Sequence, residues 1–272
     1  MSPKVSVIIP TIKGREKLLK NAVESVLRQT YADFEIIVVS DSNLNVKFND
    51  NRIHIHELPG SNVSQARNFG IKMSRGKLVA FLDDDDEWLP EKLEKQVKLL
   101  ENGYDLVYSD YLEKYPDGKI VRKGTKILCG EAYDELKRWN FIPTSSVVVR
   151  KEVIGEVGGF DKSLMIGEDY DMWLRISKRY KICGVEEPLF IYRKPDKVRY
   201  LRYACDFIKF LDKWWNEIDT KRYSNIELWY FKASSKLHFL KYWYYKARFI
   251  LFGENINILK ELVKKYCSST TD

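Results

Sequence analysis

The residues best able to do chemistry form one acidic run, Asp83-Asp84-Asp85-Asp86, directly after the apolar segment 78–82. The apolar segment predicts a buried strand. Adjacent carboxylates repel each other, and a bound cation removes that cost. Mg²⁺ and Mn²⁺ prefer hard oxygen ligands, and Mg²⁺ typically takes one or two carboxylates plus substrate phosphates. Because ligands of open α/β sheets bind beyond the carboxyl ends of the strands, the run indicates a metal–phosphate site.

The acidic run also has a structural alternative. Asp is favoured just before a helix and Pro at its first position, so the run could be a solvated turn that caps a helix starting near Pro90. The run alone leaves both interpretations open, and the rest of the chain must separate them.

The bulk composition indicates one large α/β domain, or such a domain with an appendage. The chain has 272 residues, of which 44% are hydrophobic, and this excludes global disorder. The start has too short an apolar run for a secretory signal, and no apolar stretch is long enough to span a membrane. We therefore expect a cytoplasmic protein. The cysteines are widely spaced and predict neither a disulfide framework nor a zinc site: Cys129, Cys183, Cys205 and Cys267.

Charge and aromatic content divide the chain near Pro195. Residues 196–272 carry 15 Lys and Arg against 9 Asp and Glu, or +6, whereas residues 1–195 carry 31 against 30, or +1. The same C-terminal segment holds 18 of the 37 aromatic residues. We therefore predict a body at 1–195 and a basic, aromatic, mostly helical region at 196–272.

The body alternates strand and helix patterns, which predicts βαβ units and a mostly parallel sheet. The predicted strands lie at 5–10, 34–39, 53–58, 78–82, 106–110 and 145–149, and the predicted helices at 16–29, 63–73, 90–101 and from about 168.

Three carboxylate groups follow predicted strands or lie in predicted loops: Asp41, the run 83–86, and Glu168 with Asp169 and Asp171. An acidic crevice of this kind suits a nucleotide diphosphate held through a divalent cation. No G-x-G-x-x-G follows the first strand and no G-x-x-x-x-G-K-[ST] occurs, so dinucleotide dehydrogenases and P-loop NTPases fit poorly.

Seven segments follow one another along the chain in a recognisable order: Val5–Thr11, Ser25–Tyr31, Glu35–Asp41, Ala66–Gly70, Phe81–Trp88, Gly158–Asp161 and Glu168–Trp173. Together, in this order and spacing, they resemble the inverting glycosyltransferases of family 2. The resemblance implies the nucleotide-diphospho-sugar (GT-A) fold: a Rossmann-like mixed α/β sheet flanked by helices.

The resemblance also implies roles for individual residues. Asp85 would bind the Mg²⁺ or Mn²⁺ that bridges the donor diphosphate, and Asp169 would be the catalytic base. Residues that would contact the donor nucleotide are Pro10, Thr11, Arg15, Asp41, Arg67, Asp83 and Asp84. Residues that would lie near the acceptor are Glu168, Asp171, Trp88 and Trp173.

Several of these residues also have a structural interpretation. Asp41 could form an Asx turn, Asp169 or Asp171 could cap the following helix, and Arg67 could be a surface ion-pair partner. Trp88 and Trp173 could be core aromatics.

The resemblance predicts a nucleotide-sugar donor, with UDP as the expected carrier, and a glycan or lipid-linked acceptor. Where the family often has Asp-Asp-Gly-Ser, this chain has Ser40-Asp41-Ser42-Asn43, so base recognition stays open. The Gln-x-x-Arg-Trp motif of processive synthases is absent after Asp169, which predicts transfer of one sugar. Two other functions remain: a nucleotidyltransferase using Lys13, Arg15 and Lys17, and a catalytically silent protein of the same fold.

The region 196–272 has the composition of a segment at a membrane–water boundary, since aromatic residues favour that boundary and basic residues attract anionic lipids. It could instead pack on the body or form a homodimer interface. Binding of nucleic acid is not expected, because no known binding module is present.

Overall fold

A computed structural model describes residues 2–194, 209–210, 213–214 and 217–218. By its contacts the chain divides into two compact units, residues 1–196 and 197–272. In the second unit the described pairs 209–210 and 213–214 are helical, and Phe210, Trp214 and Ile218 are buried. The other helices predicted for 196–272 lie outside the described residues. Within the described residues, no helix has the length and apolar character needed to cross a membrane.

The first half of the body alternates strands and helices as the sequence predicts. Its elements are β1 (Val5–Thr11), α1 (Glu16–Leu27), β2 (Phe34–Ser40), β3 (Ile53–Glu57), α2 (Val63–Met73) and β4 (Leu78–Phe81). β1 pairs in parallel with both β2 and β4, and β2 pairs in parallel with β3. The carboxyl ends of β1, β2 and β4 therefore lie along one edge, where the acidic run leaves the sheet.

The second half of the body adds antiparallel strands, so the sheet is mixed. Its elements are β5 (Glu87–Trp88), α3 (Lys92–Glu101), β6 (Leu106–Lys114), β7 (Ile120–Lys123), β8 (Cys129–Gly130), α4 (Tyr133–Leu136), β9 (Val148–Arg150), α5 (Lys151–Val157), α6 (Glu168–Ser177) and β10 (Ile182–Arg193). The strand order is β3-β2-β1-β4-β9-β6-β10-β5, with β7 on β6 and β8 on β10. β9 runs antiparallel to both neighbours, β4 and β6.

One local prediction is wrong, and one of the alternative interpretations is excluded. The predicted strand 145–149 begins only at Val148, and a 3-10 turn, Thr144–Ser146, precedes it. The Ser146 hydroxyl donates to the Pro143 carbonyl, and such local side-chain bonds favour turns over strands. The acidic run also does not cap α3, because that helix begins at Lys92, after Glu91, which makes no side-chain capping bond.

The core forms around β1 and β2, in which every residue is buried. α1 covers one face of these strands with a row at helical spacing: Leu19, Ala22, Val23 and Val26. Strands covered on both faces require near-continuous apolar runs, and both strands have them. This rigid centre fixes the strand ends at which the acidic side chains lie.

α2 lies unusually close to β1, and this places its polar side chains. Asn62 and Gln65 form a reciprocal capping box that fixes where the helix begins. A Cβ on Gly70 would stand 2.6 Å from the Ile8 side chain, so only glycine permits the contact. The close approach brings Arg67, one turn earlier, to the edge of the sheet.

The expectation that the cysteines form no disulfide is wrong. Cys129 on β8 lies directly opposite Cys183 on β10 in an antiparallel pair, and the two form a disulfide. They are 54 residues apart in sequence. Spacing along the chain could not reveal the pair, because β8 and β10 are brought together only by the sheet.

Candidate active site

Arg67 joins the acidic run to the Glu168-Asp169 pair. Its side chain is only 3% exposed. One terminal nitrogen binds Asp83 Oδ1 at 2.7 Å and the other binds Glu168 Oε1 at 2.8 Å. Burial lowers the pKa of Arg67, but Asp83 and Glu168 raise it by more, so the guanidinium stays charged. Arg67 is therefore a buried bridge rather than a surface ion-pair partner, and its predicted contact with donor phosphates stays a prediction.

Arg15 neutralises the middle of the acidic run. One of its terminal nitrogens lies 2.9 Å from Asp84 Oδ1 and 2.5 Å from Asp85 Oδ2. Thr11, the last residue of β1, donates its hydroxyl to Asp84 Oδ2 at 2.5 Å. The predicted donor residues Thr11, Arg15 and Asp84 thus lie together, next to the predicted metal ligand Asp85.

The pKa of Asp84 shows that burial in this arrangement disfavours the ionised form of its carboxyl group. Burial raises the pKa of Asp84 to about 7, although the Thr11 hydroxyl and the Arg15 charge both lower it. Asp84 is therefore close to half protonated near neutral pH. Only Asp83 and Asp85 of the run have substantially exposed side chains, 36% and 35%.

Asp86 differs from the rest of the run because it faces inward. Its carboxylate accepts from the Ser145 hydroxyl at 2.6 Å and from the Arg193 backbone N–H at 3.0 Å. Burial raises its pKa well above the usual range. Arg193 Nε also donates to the Asp85 carbonyl at 3.2 Å. Asp86 thus ties the acidic loop to the end of β10.

Asp41 lies at the end of β2, beside the end of β1. Its backbone N–H donates to the Thr11 carbonyl at 3.3 Å. Its carboxylate accepts from the Lys13 backbone N–H at 3.3 Å and from the Ser42 hydroxyl at 3.0 Å. The structure therefore brings Asp41 to the same edge as Thr11. Pro10 precedes Thr11 within β1 and is buried there.

Asp169 lies in the first turn of α6, beside Arg67 and Glu168. Its Oδ1 accepts from the Tyr170 backbone N–H at 2.6 Å. Its Oδ2 accepts from the Thr144 hydroxyl at 3.0 Å and from the Asn140 amide at 3.4 Å. Burial raises the pKa of Asp169, while Arg67 and the hydrogen bonds from Tyr170 and Thr144 oppose the rise. A carboxylate with a raised pKa is suited to accept a proton near neutral pH.

Glu168 is less accessible than the acidic run, with a side chain 12% exposed. Burial and the charge of Asp169 raise its pKa to about 7, although Arg67 lowers it. The pKa of Glu168, like that of Asp84, therefore lies close to neutral pH.

Three predicted acceptor-side residues are placed in the core instead. Trp88 is buried and donates from Nε1 to the Ser145 carbonyl at 2.9 Å, and Trp173 is buried and donates to the Ile142 carbonyl at 3.2 Å. Asp171 is fully buried and binds Arg175 at 2.7 Å. For the two tryptophans the structural interpretation as core aromatics is therefore correct. Asp171 does not cap α6, because the N-cap residue is Gly167 and Asp171 lies within the helix.

Four residues that support the carboxylates were not predicted from the sequence: Asn140, Thr144, Ser145 and Arg193. Thr144 and Ser145 are polar residues at the start of an apolar run, which is the only signal that distinguished them. No sequence pattern distinguished Asn140 or Arg193, because the carboxylates that they contact are distant in sequence.

The side chains fit a cation held jointly with a diphosphate. No three His, Cys, Asp or Glu side chains among the described residues are grouped to hold a metal without such help. Mg²⁺ commonly uses one or two carboxylates together with substrate phosphates, and Asp85 is exposed enough to be one of them. The contact with Arg15 shows that positive charge is stabilised at this point.

Comparison with known proteins identifies relatives. Residues 6–157 match the family model Glycosyl transferase family 2. An uncharacterized glycosyltransferase, MJ1057 of Methanocaldococcus jannaschii, is 34% identical over 218 residues, or 73% of each chain. The Escherichia coli UDP-Glc:alpha-D-GlcNAc-diphosphoundecaprenol beta-1,3-glucosyltransferase WfgD is 31% identical over 66% of this chain and 72% of its own. A longer glycosyltransferase of Rickettsia bellii is 32% identical, with only 28% of its length matched.

Solved structures confirm the expected fold. The S. aureus TarS 1-349 structure in complex with UDP-GlcNAc superposes with a TM-score of 0.59 and 16% identity. The match covers 81% of this chain and 75% of the TarS chain. The mixed sheet flanked by helices is therefore the GT-A architecture.

Proposed function

The chain belongs to glycosyl transferase family 2, and we propose that it moves a single sugar from a nucleotide-diphospho-sugar to an acceptor hydroxyl, with inversion at the anomeric carbon. One observation carries this proposal. Arg67 holds Asp83, beside the proposed metal ligand, and Glu168, beside the proposed base, on the two ends of one buried guanidinium. Inverting transfer needs those two functions on opposite sides of the same sugar ring.

Each group has a distinct role in this proposal. Asp169 accepts the proton of the attacking hydroxyl. Asp83, Thr11 and Asp41 orient the nucleotide, and Asp85 would hold Mg²⁺ or Mn²⁺ together with the donor diphosphate. When bound, the ion would stabilise the charge of the departing diphosphate.

The relatives support a UDP-sugar donor and a lipid-linked acceptor. The name of WfgD specifies UDP-Glc and a diphosphoundecaprenol-linked GlcNAc, and TarS has been solved with UDP-GlcNAc. We extend both features to this chain. A lipid-linked acceptor would be presented at a membrane surface, where the basic, aromatic region 196–272 could hold the enzyme.

The testing experiment measures donor binding and transfer across UDP-, dTDP- and GDP-sugars, each with Mg²⁺, with Mn²⁺ and with EDTA. Acceptor mixtures contain lipid-linked diphosphate sugars. We expect one donor to bind only with metal and to be turned over. NMR of the first product should show inverted anomeric configuration.

Two variants make this test specific. Asp85→Ala should abolish metal-dependent binding of the donor, whereas Asp33→Ala, an exposed aspartate before β2, should leave binding unchanged. Binding of no donor under any condition would overturn the proposal and favour a silent fold. Release of pyrophosphate from a nucleoside triphosphate would favour a nucleotidyltransferase.

A further inference from the structure

The 3-10 turn Thr144–Ser146 contacts both halves of the candidate site with neighbouring side chains. The Thr144 hydroxyl donates to Asp169 Oδ2 at 3.0 Å. The Ser145 hydroxyl donates to Asp86 Oδ2 at 2.6 Å and accepts from the Asp83 backbone N–H at 3.1 Å. Two adjacent residues thus hold the base on one side and the acidic loop on the other.

The turn geometry explains how adjacent residues can face different partners. A 3-10 helix has three residues per turn, so successive side chains point about 120° apart. An extended strand at this position would have sent Thr144 and Ser145 to opposite faces of the sheet. In that arrangement, the two side chains could not have contacted both α6 and the acidic loop.

The turn is itself firmly anchored. All three of its residues are buried. The Ser145 carbonyl accepts from Trp88 Nε1 at 2.9 Å, and the Ser146 carbonyl accepts from the Gln96 amide at 2.8 Å. The Phe81 backbone N–H donates to the Val147 carbonyl at 3.3 Å, which links the turn to the end of β4. The core therefore fixes the backbone of the turn, which carries both hydroxyls.

We propose that Thr144 and Ser145 are positioning residues that fix the proposed base Asp169 relative to the donor-binding carboxylates. This inference rests on the proposed function, because it assigns positioning roles to that same reaction. Thr144 orients the Asp169 carboxylate toward the acceptor hydroxyl. Ser145 holds the loop that carries Asp83 and Asp85 in the geometry that the donor diphosphate needs.

The proposal predicts that the two hydroxyls affect different measurements. Thr144→Val removes the hydroxyl and keeps the shape. Asp169 faces Arg67, Glu168 and Asp83, and these charges remain, so only the bond from Thr144 to the carboxylate is lost. We expect kcat to fall about tenfold and the acidic limb of its pH profile to move to higher pH, because the ionised form has lost a donor. The donor Kd should not change.

Ser145→Ala should show the reverse pattern. The donor Kd should rise about tenfold, since Asp83 and Asp86 lose their shared partner. The acidic limb of the pH profile of kcat should not move, because Asp169 still accepts the hydrogen bond from Thr144. Thr144→Ser restores the hydroxyl and should recover both kcat and the pH limb.

The experiment determines donor Kd by calorimetry and kcat against pH for the full-length wild type and the three variants, with circular dichroism melts as a check on folding. If Thr144→Val does not fold, Thr144→Ala replaces it. A wild-type kcat and pH limb in a folded Thr144 variant would overturn the proposal, as would an identical response of both variants in both readouts. Absence of turnover in the wild type would instead overturn the proposed function, so the two failures are distinguishable.

Discussion

The two carboxylate groups that Arg67 joins differ in their access to water. On the donor side, Asp83 and Asp85 have side chains 36% and 35% exposed, and Arg15 lies against the run. On the base side, the Glu168 side chain is 12% exposed, and hydrogen bonds from Thr144 and Asn140 reach Asp169. The carboxylates on the donor side are open to water and lie against Arg15, whereas those on the base side are enclosed and are held by Arg67 and by hydrogen bonds.

The difference fits the roles proposed for the two sides. A side that receives a diphosphate and a metal ion must stay accessible and must hold negative charge until those ligands arrive. A side that accepts one proton benefits from a restricted environment that brings its pKa nearer to the working pH. Replacing single carboxylates should therefore produce different losses on the two sides.

The largest expected effect is on the base side. Asp169→Asn keeps the shape and the hydrogen-bond acceptor but cannot take a proton, so kcat should fall by about a thousandfold. The donor Kd should change little, because Asp169 makes its hydrogen bonds with Tyr170, Thr144 and Asn140 and not with the acidic run. Single-turnover assays with calorimetry measure both quantities. Asp134→Asn, an exposed aspartate on α4, is the control, and loss of donor binding in Asp169→Asn would contradict the division of roles.

Breaking the bridge should damage both sides. Arg67→Met leaves Asp83 and Glu168 without their common partner, and removing one member of a buried charge cluster costs about 3–5 kcal/mol. Urea unfolding should show that loss together with weakened donor binding and transfer. Arg52→Met is a matched control, because Arg52 pairs with Asp50 where both are partly exposed, and it should cost less than about 1 kcal/mol. Equal losses in the two variants would refute the bridging role.

A smaller effect is expected at the open side. Asp41→Ala should raise the donor Kd about tenfold, because one hydrogen bond to the nucleobase is lost, while kcat at saturating donor is retained. Comparing the Kd values of UDP-, dTDP- and GDP-sugars for the variant and the wild type would show whether Asp41 contributes to recognition of the nucleobase. A fall in kcat with unchanged Kd would place Asp41 outside the nucleotide site.

The smallest expected effect is the pH dependence of the stability difference between Glu168→Gln and the wild type. The pKa of Glu168 is raised to about 7 in the folded protein, above its ordinary value near 4.5, so the ionised form is disfavoured by folding. The native state is therefore destabilised progressively as pH rises from about 4.5 to about 7. Glu168→Gln removes this titration. Relative to the wild type, its Tm should increase between pH 5 and pH 8 in calorimetric scans, whereas a pH-independent difference would contradict the sign of the shift.

The sequence predicted the first half of the fold closely because its signals are local. The helix predicted at 63–73 is α2, Val63–Met73, and the β-branched runs became β1 and β2. The second half was predicted less well. β10 was not recognised because its run is interrupted at Pro188, where the register with β6 shifts. The disulfide was missed because β8 is only two residues long.

The sequence by itself determined the chemical inventory: a family 2 glycosyltransferase chain, an acidic run after a central strand, and a Glu-Asp pair at the start of a helix. Hydrophobic periodicity and the order of the motifs are properties of the chain, so they could be predicted without coordinates. Only the tertiary structure decided which carboxylates are accessible at the candidate site. Asp85 faces out and Asp86 faces in, although they are neighbours, and Asp171 binds Arg175 instead of lining the site. These outcomes depend on partners 4 to 108 residues away, and the sheet sets the distant ones through contacts that no local pattern encodes.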